Sequence, residues 1–286
     1  MNSITNAWGM GKASFAALLV FAAVVYAAGS AYGHQVWVET ASSASSGQPH
    51  QVQVCWGHSG TKESGPALAG QQGKLTVCVS GPNGRAPLEL AAGSDSFTAQ
   101  FTPQASGCHV IGADLQVGII DREFHGMPAN TRIVMYGKAC AHVGGSSIEK
   151  PASLGFDLEI MPVSALRTAR PGDAVTVKVL HRGRPIGGRN VLVSLKTPGT
   201  LPPVEDARIQ TQEWSIEATA DPSTGEVTFP LIVGGQHMFL VKYFDETPGT
   251  YDGDRNDSSA FSHLRKGDKF ERTMYVSTLI FPVLAK

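Results

Sequence analysis

The sequence predicts an all-β protein. Apolar and polar residues alternate in short runs, the period of a half-buried strand. Between those runs stand many of the 32 glycines and 17 prolines, the residues that tight turns require. After the first thirty residues no long stretch repeats at helical spacing.

At 286 residues the chain has room for an export segment and about two domains of ordinary size. Lys12 precedes an uninterrupted apolar run from Phe15 to Ala28, and Gly29-Ser30-Ala31-Tyr32-Gly33 follows, a tail of mostly small residues. That order is the grammar of a secretory signal peptide, expected over residues 1–33. Cutting after Ala31 or after Gly33 satisfies the small-x-small rule, and the second cut makes His34 the new first residue. The alternative is an uncleaved anchor through residues 13–32, because the run with its flanks approaches the ~20 residues that span a bilayer. The short apolar core and the lack of a cationic stop favour cleavage. The expected location is periplasmic or secreted, with membrane contact only through the segment if it stays attached.

The first sandwich is expected over residues 34–155. Its strands are read at His34–Glu39, His50–Trp56, Lys74–Val79, Leu88–Leu90, Ser96–Phe101 and Thr131–Tyr136, with turn-formers such as Ser80-Gly-Pro-Asn-Gly84 between them. In His50–Trp56 the residues Val52, Val54 and Trp56 fall on one face, as a half-buried strand requires.

A second sandwich is expected over residues 156–286. Strands at Leu158–Pro162, Ala174–Leu180, Asn190–Leu195, Glu226–Phe229, Gly235–Val241 and Met274–Phe281 are separated by Gly- and Pro-rich turns. The order matches small immunoglobulin-like or prealbumin-like sandwiches. A polar loop over residues 245–269 is expected to expose Asp252, Asp254, Asp257 and Asp268. Charged residues make up only 16% of the chain and the net charge is -1, so nothing in it would draw in nucleic acid.

Five stretches together resemble the domain-of-unknown-function 4198 family: HQVWVE at the mature end, WGHSG closing the next strand, LEIMPVSALRTARPGDAVTVKVLHRGRPIGGRNVLV, GEVTFPLIVGGQHMFLVKY and the terminal YVSTLIF. The resemblance runs through essentially the whole mature chain. It implies two sandwich-like parts and a periplasmic component of a cobalt or nickel uptake system, with a membrane metal transporter as partner. The four cysteines and the Asp-rich loop depart from the family pattern.

The residues themselves suggest where an ion would bind. A cut after Gly33 gives His34 both a free α-amine and an imidazole, which chelate one ion together. Nitrogen donors of this kind suit Ni²⁺ and Co²⁺, and also Cu²⁺. His58, just past the neighbouring strand, is the expected second ligand. Glu39 stands at odd spacing from His34 and points to the other face. His125, in Glu123-Phe-His-Gly-Met127, adds imidazole, carboxylate and thioether donors within five residues.

Cys55, Cys78, Cys108 and Cys140 are read as two disulfides in an oxidising compartment, with three connectivities open. His109 and His142 stand beside cysteines at Cys-x-His-like spacing that disulfide formation would cancel. Asp252, Asp254 and Asp257 lack the glycine and closing glutamate of an EF-hand. No Gly-x-Ser-x-Gly elbow, His-Glu-x-x-His helix or phosphate loop is present, so a non-enzymatic metal binder is expected. Two other readings are a tandem sandwich module that holds a protein partner, and a copper oxidase built on an N-terminal histidine brace.

Overall fold

The computed structural model describes residues 33–58, 61–123, 127–144, 151–197, 215–259 and 261–285. Apart from Gly33, the expected export segment lies outside the described residues. So does His125.

The chain is all-β and sandwich-like. Fourteen strands position the core and the site: β1 (Gln35–Thr40), β2 (His50–His58), the two-residue β3 (Thr61–Lys62), β4 (Leu75–Gly81), β5 (Phe97–Phe101), β6 (Gly107–Ile120), β7 (Thr131–Val143), β8 (Leu158–Pro162), β9 (Ala174–His181), β10 (Leu192–Lys196), β11 (Ser215–Thr219), β12 (Glu226–Pro230), β13 (Gly235–Asp245) and β14 (Arg272–Val283). Among the described residues no helix is long and apolar enough to cross a membrane.

A large central sheet runs β11-β10-β13-β14-β7-β6, with β4 also on β6. Its pairings are antiparallel except two that run parallel: β7 with β14, from Thr131↔Arg272 to Lys138↔Leu279, and β7 with the two-residue strand Ser43–Ala44. Strand β14 also pairs antiparallel with β13. The last strand therefore joins residues from both halves of the sequence in one sheet. Residues 33–286 form one compact unit, and the expected boundary near residue 155 is bridged by that sheet.

On one face of the central sheet lies the sheet of β8, β9 and β12. In β9 the residues Val175, Val177 and Val179 are buried and alternate with more exposed neighbours. They meet Val110, Val134, Leu195, Phe239 and Phe281 of the central sheet in one apolar core. A fully buried ion pair ties the two layers: Lys138 Nζ of β7 lies 2.9 Å from Glu159 Oε1 of β8. Glu159 also accepts hydrogen bonds from the Leu154 backbone N–H and the Ser153 hydroxyl, so its lone pairs are well used.

Against the opposite face packs the sheet of β1, β2 and β5. Strand β1 comes so close to β7 that a Cβ on Gly137 would stand 3.0 Å from Trp37 Cα. Thr278 Oγ1 donates to the Val36 carbonyl across the same seam. Covered on both sides, β7 and β14 are buried almost without alternation, as central strands between layers must be.

Two expectations are corrected. Residues 245–269 are not a bare loop: they hold four short strands, and Tyr251 and Leu264 pack on Ile119 in a small satellite core. Asp252 and Asp254 are exposed as expected, but Asp257 pairs with Arg255, and both Asp268 and Asp121 face His263. The cysteines form no disulfide; all four are thiols. Two bridges would need Cys55 as a partner, yet Cys55 is buried in the smaller sheet opposite Trp37, while the other three lie in the central sheet.

Candidate metal centre

The site is built by the pleat of three short lengths of chain. Strands β1 and β2 are antiparallel with Gln35 opposite Gly57 and Val36 opposite Trp56, so the residue before β1, His34, faces His58. Strand β2 then turns back into β3, with His58 opposite Thr61 and Gly57 opposite Lys62. The Glu63 N–H donates to the Trp56 carbonyl at 2.8 Å, which carries the register one residue further. Opposed residues share a face and alternate residues share a face. His34, Trp56, His58 and Glu63 consequently project together, and Gln35, Gly57 and Lys62 belong to the reverse side.

The distances bear this out. The His34 and His58 rings are 3.8 Å apart between centroids, and His34 lies flat on Trp56 at 3.9 Å with the planes 9° apart. His34 Nε2 stands 3.4 Å from Glu63 Oε1. One ligand atom from each of His34, His58 and Glu63 falls within 4.8 Å of the others, and all three side chains are half-buried. Ligands that share one ion through bonds of about 2.1 Å stand roughly 3–4 Å apart, so a small rotation of the side chains closes the set.

On the reverse side Lys62 is occupied elsewhere. Its Nζ lies 2.9 Å from Glu39 Oε2 and donates to Gln53 Oε1, and Glu39 Oε1 accepts from the Trp37 indole. The nearby cation is thus held away from the imidazoles. Glu39 points to the opposite face, as its spacing from His34 predicts.

Gly57 makes the hairpin possible. A Cβ there would lie 2.0 Å from the Thr61 carbonyl oxygen and 3.0 Å from the Glu63 nitrogen. Only a residue without a side chain lets β3 fold back this closely and deliver Glu63.

Of the ligands expected from sequence, His34 and His58 are brought together, and His125 lies outside the described residues. Glu63 is the residue that sequence reasoning missed. Its signal was parity: with Thr61 opposite His58, Glu63 falls opposite Trp56. The remaining histidines are engaged in structure. The His109 ring bonds the Ala105 carbonyl, His50 bonds Thr40 Oγ1, and the wholly buried His237 bonds the Gly235 carbonyl. His181 lies 3.7 Å from Asp245.

A family model described as "Domain of unknown function (DUF4198)" matches residues 31–245. No curated protein matches the chain.

Proposed function

Taking as premise that the chain belongs to the domain-of-unknown-function 4198 family, whose description assigns no activity, we propose that it binds a divalent transition-metal ion outside the cytoplasm and passes it to a membrane metal transporter. The observation that carries the reading is the convergence of His34, His58 and Glu63 on one face of a three-stranded corner. Two imidazoles and a carboxylate suit Ni²⁺, Co²⁺ or Cu²⁺; the hard oxygen donor disfavours Cu(I). If the export segment is removed after Gly33, the α-amine of His34 becomes a fourth donor and chelates through the same residue. Three or four ligands from three strand ends leave coordination positions open, which suits an ion that must be handed on.

Calorimetric titration of the mature chain with Ni²⁺, Co²⁺ and Cu²⁺ tests the reading, alongside His34→Ala, His58→Ala and Glu63→Gln. One equivalent bound by the parent chain and weakened in all three variants is the expected result. Unchanged affinity in the variants would remove the site. The His34–His58 pair is also what a histidine-brace copper oxidase needs, and peroxide-dependent substrate oxidation by the copper-loaded chain would move the reading there.

A further inference from the structure

The four thiols are not equivalent, and their placement singles out one pair. In the register of β6 with β7, Cys108 is opposite His142 and Cys140 is opposite Val110. Cys108 and Cys140 are therefore diagonal neighbours on the same face of adjacent strands. Their thiols hydrogen-bond to each other. Cys140 is half-buried and lines a cavity of about 90 Å³ together with Ser164, Leu166 and Phe281.

The other two thiols lack such a neighbour. Cys55 is fully buried in the sheet of β1, β2 and β5. Cys78 is opposite Gly112, four residues along β6 from Cys108, or about 13 Å at the usual rise of a strand. From Cys140 it is separated by the whole width of β6, about 9.5 Å across two strand spacings.

We propose that Cys108 and Cys140 are a redox-modifiable pair, which a disulfide donor converts into a single cross-strand disulfide while Cys55 and Cys78 remain thiols. In the first step one protein thiolate attacks a sulfur of the donor disulfide and expels one donor thiolate. The second protein thiolate attacks the resulting mixed disulfide and expels the other. The protein loses two electrons and two protons, and the donor leaves as two thiols. Diagonal neighbours across an antiparallel pair stand near the roughly 7 Å limit of Cα separation for a disulfide, so closure draws the strands together slightly. The bond is accordingly one that a dithiol reopens, and its place beside the cavity gives a small donor access.

The test is incubation of the natively folded chain with oxidised glutathione, followed by alkylation of the remaining thiols in denaturant and peptide mapping without reduction. Two of the four thiols should become unreactive, with one peptide pair joined through Cys108 and Cys140. A Cys55→Ala, Cys78→Ala double variant should close the same bond, and Cys108→Ser should stop it. Four persistent thiols, a glutathione adduct without a cross-link, or a link through Cys55 or Cys78 in the parent chain would overturn the proposal.

Discussion

The imidazole of His34 lies flat against the indole of Trp56, 3.9 Å between centroids and 9° between planes. Stacking of this kind fixes the ring plane and holds the nitrogens at its edge beside His58 and Glu63. It also places a fluorophore in contact with the proposed ligand set. Binding of Ni²⁺, Co²⁺ or Cu²⁺ should quench Trp56 emission, and Trp56→Phe should remove most of the quenching. Because phenylalanine keeps a stacking face, affinity by calorimetry should fall by no more than a few-fold.

Glu63→Gln removes the carboxylate charge and keeps the side-chain shape. Metal affinity should drop at least tenfold, about 1.4 kcal/mol. Glu39→Gln is the matched control: Glu39 is one of the two acidic residues that ion-pair near this corner, and it faces Lys62 on the reverse side. Its affinity should equal the parent's. Titrating both variants under one buffer condition decides whether the pleat, rather than general acidity, makes the site.

Gly57→Ala should disturb the same site without touching a ligand. The added Cβ meets the Thr61 carbonyl at 2.0 Å, and backbone cannot yield as a flexible side chain would. The β2–β3 hairpin must open, moving Glu63 away from His34. Stability should fall by about 1–3 kcal/mol in urea unfolding, the usual cost of forcing atoms into a packed place. Metal binding should be lost at temperatures where circular dichroism still reports a folded sheet.

Much of the architecture was legible because strand alternation is a local signal. Val52 and Val54, or Val175, Val177 and Val179, declare a buried face within a few residues. What was not legible is the pairing of distant strands. Nothing local says that β14 runs parallel to β7 across more than a hundred residues, so two separate sandwiches were expected where a shared central sheet occurs. His34 and His58 were found because they end neighbouring strands. Glu63 was overlooked because the register of β3 against β2 had to be known before its parity could be read. The polar stretch after Asp245 looked like a loop because its buried anchors, Tyr251 and Leu264, are isolated among charged residues.

The ion pair of Lys138 and Glu159 supports a prediction about how the layers are held. Both side chains are 2% exposed. Glu159→Gln should be strongly destabilising, on the order of 3–5 kcal/mol, because it leaves the Lys138 ammonium buried without its counter-charge. Lys138→Met with Glu159→Gln should recover a large part of that loss, since the second change removes the stranded cation. The urea midpoints of both single variants, the double variant and the parent chain test the coupling; additive losses would refute it.

Stability should also fall on mild acidification, for a reason located in the core. Burial holds the pKa values of His50, His181 and His237 below the ordinary histidine value, and His181 is pushed further down by Arg182 beside it. A histidine whose pKa is lower in the folded chain takes up its proton more readily when unfolded. Below the unfolded pKa of about 6.5 the unfolded state therefore binds more protons, and stability declines with falling pH until the folded-state values are reached. Asp245 acts at the acid end. Hydrogen bonds from Thr247, with Arg182 beside it, outweigh its burial and hold its carboxyl below the usual value, so its contribution is lost only as the pH falls below about 4. Urea midpoints of the parent chain should thus drop between pH 7.5 and pH 5.5. Among the described residues His237 has no charged partner, and its Nδ1–H donates to the Gly235 carbonyl, so His237→Gln should flatten that slope even though it lowers stability at pH 7.5. An unaltered slope in His237→Gln would mean that the buried imidazole does not carry the effect.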